Sequence, residues 1–213
     1  MAIINNHEHV KIDKAFTDKH NTIFKHLDLH NLDLELSHDF VPFKSLIESL
    51  SKDEYPYNYD GTFDIEMESI DGFNMVLKQD GISVATYAAK RWDAIDTSYG
   101  YTEHFKCTDT VPIPDGLADV RSFYSSCQWV SKAHRGKKLG IVLDHLKKHI
   151  CFDIFNADAQ YSMHTEDLRD YHINALGYTD SQKLLTIPGG KVYNIAWVSK
   201  EDWNDKDEET YTS

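Results

Sequence analysis

The sequence is poor in cysteine and has no long apolar runs. Its 213 residues include three cysteines, too few and too uneven in number for a closed set of disulfides, which favours a reducing, cytoplasmic location. No run of about 18 apolar residues is present, so no membrane-spanning helix is expected. The first residues also lack the basic start and the long apolar stretch of a signal peptide.

Positive charge is also scarce, because 35 acidic residues stand against 22 lysines and arginines and give a formal net charge of −13. Such a surface repels nucleic acid and membrane phosphates unless a local basic patch overrides it. It favours cationic or amine-bearing substrates instead. Hydrophobic residues make up 41% of the chain, enough for a sizeable core, so a folded protein is expected.

A strand, a basic turn and a helix are predicted in the middle of the chain. Residues 124–130 are rich in aromatic and β-branched side chains and have no helical period, which is typical of a strand. The apolar residues that follow recur at the spacing of one helix face: Leu139, Val142, Leu143, Leu146 and Ile150. Asp144, Lys147 and Lys148 lie off that face. The pattern therefore indicates an amphipathic helix.

The turn before this helix carries Arg135, Gly136, Lys137, Lys138 and, just inside the helix, Gly140. The first turn of a helix leaves N–H groups without partners and concentrates partial positive charge, which suits a phosphate group. Three basic side chains repel this end of the helix dipole, and a bound polyanion would offset that repulsion. The alternative is a solvated basic loop before an ordinary surface helix, and the residues alone leave both interpretations open.

These residues also match a family motif. The stretch from Val130 to Gly140 resembles the acetyl-CoA-binding motif of the GCN5-related N-acetyltransferases (GNAT), Arg/Gln-x-x-Gly-x-Gly/Ala, which follows a strand and opens a helix. Arg135 fills its first position and Gly140 its last, whereas Lys138 stands where the family usually has its first glycine. Residues 175–178, Ala-Leu-Gly-Tyr, resemble the turn that ends the family's closing helix.

The order of predicted elements agrees with this resemblance from about residue 31 to residue 198. It reads strand, helix, hairpin, strand, helix, strand, helix and two strands, with the hairpin turn at Asp80-Gly81. Asp39 is the predicted cap of the first helix and Thr165 that of the last, and the two closing strands are predicted to begin at Leu184. We predict an α/β fold with a mixed central β-sheet flanked by helices, the GNAT-like acyl-CoA N-acyltransferase fold. The predicted domains are a helical extension over 1–30, the acyltransferase domain over 31–200 and an acidic tail over 201–213.

The resemblance implies transfer of an acetyl or short acyl group from acyl-CoA, with acetyl-CoA as the expected co-substrate, to an amine of a small molecule or a protein. The cofactor-binding positions that it implies are Trp129, Val130, Arg135, Gly136, Lys137, Lys138, Leu139 and Gly140. The main-chain N–H of Val130 would stabilise the oxyanion of the thioester. One alternative is a catalytically degenerate protein of this fold that binds CoA or a protein partner without turnover, because Lys138 and Ile173 depart from the family's pattern. A second is a phosphate- or nucleic-acid-binding protein, against which the net charge argues.

Candidate catalytic residues follow from what acyl transfer needs. The attacking amine must lose its proton, and the leaving thiolate must be protonated or stabilised. The family's tyrosine acid would fall at Ile173. Tyr171, two residues earlier, would face elsewhere on a regular helix, so it needs an irregularity to act as the acid, and otherwise another group works. Glu166 and Glu103 are candidate bases. The alternative roles are packing for the tyrosine and capping or surface positions for the two acids.

His145 and His149 lie four residues apart on the predicted helix and could share a metal ion. Leu146 follows His145 where zinc enzymes of the His-Glu-x-x-His type have a glutamate, and no third ligand is evident, so no metal is expected. The last predicted strand, if exposed, would allow pairing with a second copy of the chain as a homodimer.

Overall fold

Eight strands form one mixed sheet in the part of the chain that the computed structural model describes, residues 2–5, 31–55, 72–93, 120–186 and 192–204. The strands are β1 (Ala2–Asn5), β2 (Leu32–Ser37), β3 (Gly72–Gln79), β4 (Ile82–Asp93), β5 (Arg121–Val130), β6 (Ala159–His164), β7 (Thr179–Thr186) and β8 (Val192–Ser199). Their order across the sheet is β1-β2-β3-β4-β5-β6-β8-β7. The β1–β2 and β5–β6 pairs are parallel, and the other neighbouring pairs are antiparallel.

Helices pack on both faces of this sheet. They are α1 (Phe40–Ser49), α2 (Leu139–His149) and α3 (Lys200–Asn204). α1 begins after Asp39, whose carboxylate accepts a main-chain N–H of the first turn, and packs with Val76 and Trp129 on one face. α2 packs on the other face with Met75, because successive strand side chains point to opposite sides. The predicted mixed sheet flanked by helices is therefore confirmed. No helix in these ranges is long and apolar enough to cross a membrane.

Asp80 and Gly81 form the predicted hairpin turn between β3 and β4. Their φ angles of 50° and 78° are the left-handed pair that a two-residue hairpin turn requires. The hairpin was predicted over residues 73–92, and the observed strands extend it by one residue at each end. The Asp-Gly signal therefore located this turn correctly.

The β5 and β6 strands are paired over only part of their lengths. Parallel pairing runs from Ser122 opposite Ala159 to Ser125 opposite Ser162. It ends there, although β5 continues to Val130 and β6 continues by two residues along β8. The sheet therefore opens between the ends of these two strands, next to the basic turn that leads into α2.

The described residues near the beginning and the end of the chain differ from the predicted helical extension and acidic tail. Residues 2–5 form β1, parallel to β2, inside the stretch for which a helical extension was predicted. The residues that suggested that helix, 12–27, lie outside the described residues, as do the long segment 97–116 and the tail beyond residue 204. At the start of the predicted tail, α3 buries Trp203 against the core.

The predicted helix after Thr165 is present over residues 166–175, but it is irregular. Glu166–Leu168 forms a 3₁₀ turn, and Tyr171–Ala175 forms a π-helical turn in which the Leu176 N–H donates to the Tyr171 carbonyl at 3.0 Å. Gly177, with φ 71°, ends the segment as predicted. β7 then begins at residue 179, five residues before the predicted start.

The charged residues predicted to lie off the apolar face of α2 are buried with it. Lys147 Nζ lies 2.7 Å from Asp144 Oδ1, 2.7 Å from Ser125 Oγ and 2.9 Å from Tyr178 Oη. Lys148 Nζ lies 2.6 Å from Asp144 Oδ2 and donates to the Leu176 carbonyl. Burial raises the pKa of Asp144, but the two ammonium groups outweigh it and hold that pKa well below its usual range. We call Asp144, Lys147 and Lys148 the buried ionic cluster.

Candidate active site

A cavity of about 560 Å³ lies beside the end of β5, beyond its last pair with β6. Glu54 and Tyr55, after α1, line one part of it, and Leu168 and Tyr171 line another. The predicted cofactor-binding residues that line it are Trp129, Val130, Arg135, Gly136, Lys138, Leu139 and Gly140. Lys137, also predicted, is exposed and is not among the lining residues. The strand, turn and helix of the motif thus share one concave surface.

The main-chain amide of Val130 points toward the opened side of β5. The N–H of Ser131 donates to the Val84 carbonyl on β4 at 2.9 Å. Since the N–H and C=O groups of successive residues point to opposite sides of a strand, the N–H and C=O of Val130 face away from β4. The Val130 carbonyl accepts Arg135 Nε there at 3.0 Å. An extended ligand chain with its own amide groups could therefore lie along this part of β5.

Arg135 and Glu54 connect the loop after α1 to the basic turn. Besides its bond to Val130, the Arg135 guanidinium donates to the main-chain carbonyl of Glu54 at 3.0 Å. The Glu54 carboxylate accepts the Trp129 indole N–H at 3.3 Å and the Lys132 main-chain N–H at 3.2 Å. Arg135 supports the cavity wall through these bonds. Its side chain remains 49% exposed, so it also presents charge to solvent.

The turn before α2 contains two left-handed residues. Gly136 has φ 78° with open space where a Cβ would stand, and Lys138 has φ 60° and ψ 10°. The Lys138 carbonyl accepts the Val142 N–H at 3.1 Å, so the lysine opens the helix in the conformation that glycine adopts most easily. The turn therefore keeps the backbone geometry of a glycine-containing motif with a lysine at that position.

We expect Lys138→Gly to raise the free energy of unfolding by about 1 kcal/mol, because a left-handed non-glycine residue costs about that much. Lys137→Gly removes the same charge one residue away, where φ is not positive. It should lower stability by about 0.5–1 kcal/mol through the greater freedom of the unfolded chain. Urea unfolding of both variants provides the measurement. Equal stability of the two would show that Lys138 is not strained.

Tyr171 is the first residue of the π-helical turn and lines the cavity. Its Oη accepts Gln128 Nε2 at 3.3 Å and lies 2.5 Å from where a Cβ on Gly140 would stand. Burial and the nearby Asp144 raise the pKa of the Tyr171 hydroxyl, so it is protonated at neutral pH. Of the two sequence-based alternatives, the structure shows the helix irregularity. Ile173, where the family has tyrosine, packs against the core instead.

The other predicted site residues lie elsewhere. Glu166 is 76% exposed, and its carboxylate accepts Asn194 Nδ2 at 2.8 Å rather than lining the cavity. Glu103 lies outside the described residues. The rings of His145 and His149 pack on Trp203, with centroids 4.8 and 5.2 Å away. Within the described ranges, no group of three or more candidate ligands could hold a metal ion.

Gln128, which lines the cavity, and two histidines behind Tyr171 that do not line it were not identified from the sequence. Gln128 donates to Tyr171, as described, and His164 stacks on His172 with ring centroids 4.3 Å apart. Burial lowers the pKa of both histidines, that of His172 to about 4, so both are neutral at neutral pH. No local sequence pattern could have identified these three residues, because each contacts a residue of another element.

Known proteins share this fold without close sequence similarity. No family model matches the sequence, and no curated protein matches it. NAA60 of Arabidopsis thaliana, solved with acetyl-CoA, superposes with a TM-score of 0.56 at 11% identity over 80% of this chain and 99% of its own. FeeM, an N-acyl amino acid synthase from uncultured soil microbes, gives 0.56 at 9% identity over 81% and 91%.

Spermidine N-acetyltransferase of Vibrio cholerae, solved with CoA and spermine, gives a TM-score of 0.52 at 12% identity over 81% of this chain and 98% of its own. These likenesses confirm the fold that the motif suggested. The chain has the fold of the GCN5-related N-acetyltransferases, and its candidate site lies where the motif and the open part of the sheet meet.

Proposed function

We propose that the protein transfers an acetyl or short acyl group from acyl-CoA to an amine of a small molecule or a protein. One observation carries the proposal. The cavity beside the open end of β5 brings together the left-handed turn before α2, the Val130 amide and the Tyr171 hydroxyl. NAA60 and spermidine N-acetyltransferase, with the same fold, were solved with acetyl-CoA and with CoA and spermine respectively.

The residues present fit an acyl-CoA. Gly136 leaves open space in the turn, and the N-terminus of α2 faces the cavity, so a diphosphate would meet main-chain N–H groups and the positive end of the helix dipole. The Val130 edge of β5 suits the amides of the pantetheine arm. When bound, acyl-CoA supplies an activated thioester carbonyl. Acetyl-CoA is therefore the proposed co-substrate, as the resemblance implied.

Each residue then has a defined task. The Val130 N–H stabilises the oxyanion that forms at the thioester carbonyl. Tyr171, protonated at neutral pH, gives its proton to the leaving sulfur. Glu166 and Glu103 remain the candidate bases for the amine, and Glu166, held by Asn194, would act through water. The net charge of −13 favours an amine-bearing acceptor over nucleic acid or a membrane surface. A cytoplasmic location and a homodimer stay predictions.

Turnover is tested with a thiol-release assay, in which acetyl-CoA is offered with a library of primary amines. Release that depends on an amine supports the proposal. Binding of CoA without release on any amine would instead favour the catalytically degenerate alternative, for which Lys138 and Ile173 argue.

Cofactor binding is tested by calorimetry with acetyl-CoA. Arg135→Ala should weaken binding about tenfold, since it removes a cavity-lining charge and the support of β5, a loss of about 1.4 kcal/mol. Lys132→Ala removes one positive charge from the same turn at a residue that does not line the cavity, and should change affinity little. Equal effects of the two variants would contradict the assignment of the cavity to acyl-CoA.

A further inference from the structure

Gln128 enters the cavity because β5 has a bulge. Thr86 pairs with Trp129 and Ala88 with Ser126, so Tyr87 alone stands opposite two residues of β5. A bulge of this kind redirects a side chain that would otherwise follow the regular alternation of the strand. It leaves Gln128 facing the first turn of α2 and the π-helical turn.

The side-chain amide of Gln128 can have only one orientation here. Its Nε2 lies 3.1 Å from the Gly140 carbonyl oxygen and 3.3 Å from Tyr171 Oη. A carbonyl oxygen only accepts hydrogen bonds, so the amide must turn its nitrogen, not its oxygen, toward Gly140. The same nitrogen then faces Tyr171, and an amide nitrogen only donates. Tyr171 Oη is therefore the acceptor in that contact.

This fixes the direction of the Tyr171 hydroxyl hydrogen. Because Gln128 occupies an acceptor position of Oη, the hydrogen points away from Gln128. Within the described residues, the hydroxyl makes no second hydrogen bond to the protein, and Tyr171 lines the cavity. Tyr171 Oη already occupies the space that a side chain at residue 140 would fill. The ring therefore cannot move closer to α2 at Gly140.

We propose that Gln128 is a positioning residue that holds the Tyr171 hydroxyl as a hydrogen-bond acceptor and so directs its proton into the cavity, toward the leaving sulfur. This inference rests on the proposed acyl transfer. As the amine nitrogen bonds to the acyl carbon, the carbon–sulfur bond breaks, its electron pair goes to sulfur, and the Tyr171 proton follows. The proton released by the amine then restores the tyrosine through solvent.

The same contact supports the tyrosine after the proton leaves. A phenolate accepts a hydrogen bond more strongly than a phenol, so Gln128 stabilises the charge that develops on Oη. Its hydrogen bond opposes burial and Asp144, which both raise the pKa of Tyr171. Orientation and charge stabilisation therefore act in the same direction.

A double-mutant cycle tests the inference with acetyl-CoA and the best amine of the library. Gln128→Met keeps the length of the side chain but has no hydrogen-bond donor. It should lower kcat about tenfold, the scale of one lost hydrogen bond, and leave the Kd of acetyl-CoA within about twofold of the wild-type value. Gln128→Glu should lower kcat further, because a carboxylate accepts a hydrogen bond from the Tyr171 hydroxyl and so turns its hydrogen away from the cavity. In the Tyr171→Phe background, Gln128→Met should change kcat less than about twofold.

Three results would overturn the inference: unchanged kcat in Gln128→Met, a milder effect of Gln128→Glu than of Gln128→Met, or the same loss in the Tyr171→Phe background. The last would show that Gln128 only supports Gly140 and α2. Thermal unfolding checks that each variant is folded. If Gln128→Met does not fold, Gln128→Glu still provides the test. A wild-type protein that releases no thiol with any amine overturns the proposed function and this inference together, whereas active wild type with an unaffected Gln128→Met overturns the inference alone.

Discussion

Asparagine in place of Asp144 is expected to lower the free energy of unfolding by about 3–5 kcal/mol, a large part of the stability of a typical domain. Both ammonium groups of the buried ionic cluster contact this carboxylate, at 2.7 and 2.6 Å, and both lysine side chains are 0% exposed. Without Asp144, both lysines would lose the carboxylate that they share, and the remaining contacts of Lys147 include the uncharged groups of Ser125 and Tyr178. Urea unfolding at neutral pH measures the loss.

Lys148→Met is the matched comparison. The cluster holds two positive charges and one negative charge, so removal of Lys148 leaves Asp144 paired with Lys147 and balances the charge. The variant still loses the hydrogen bond to the Leu176 carbonyl, so we expect a cost of about 1–2 kcal/mol. If Asp144→Asn proved no more costly than Lys148→Met, the carboxylate would not be what stabilises the buried ammonium groups.

Tyr171→Phe is expected to lower kcat by about a hundredfold or more, the scale of a lost general acid. The change removes the only atom through which Tyr171 could protonate the leaving sulfur, while the ring continues to fill the cavity wall. The Kd of acetyl-CoA should stay within about threefold, because Val130, Gly136 and the start of α2 are untouched. Steady-state kinetics with calorimetry separate the two effects.

The control for this variant is Tyr193→Phe. Tyr193 is a buried tyrosine of β8 that does not line the cavity, so its variant loses the same atom elsewhere in the fold. It should keep kcat within about twofold. Wild-type turnover in Tyr171→Phe would show that another group, or water, protonates the thiolate. A loss shared equally with Tyr193→Phe would indicate a general effect on stability.

The resemblance of the motif was informative even though its first glycine is absent. Arg135, Gly136 and Gly140 placed the turn correctly, and the strand and helix around it formed where the periodicity predicted them. That Lys138 takes a left-handed conformation could not be predicted, because lysine has no preference for it. The conformation follows from the turn that connects β5 to α2, which overrides the preference of the residue.

Tyr171 shows a different limit of sequence reasoning. On a regular helix, the two-residue offset from Ile173 would turn it by about 200° away from the required direction. The π-helical turn adds one residue to the hydrogen-bonded ring, so the rotation expected of a regular helix does not apply to this segment, and Tyr171 lines the cavity. Whether a helix of this length contains such a turn depends on how the segment from Leu168 to Gly177, which connects β6 to β7, packs on the rest of the fold, and no short pattern records that packing.

The sequence by itself determined the elements whose signals lie close together in the chain: the Asp80-Gly81 hairpin, the start of α1 and the strand, turn and helix around Arg135. Turn geometry, capping and helical period depend on neighbouring residues, so they can be read locally. Only the tertiary structure decided that the buried ionic cluster is enclosed on all sides and that Gln128 meets Tyr171, 43 residues later. Both depend on which surfaces the sheet brings together, and the chain carries no local record of that.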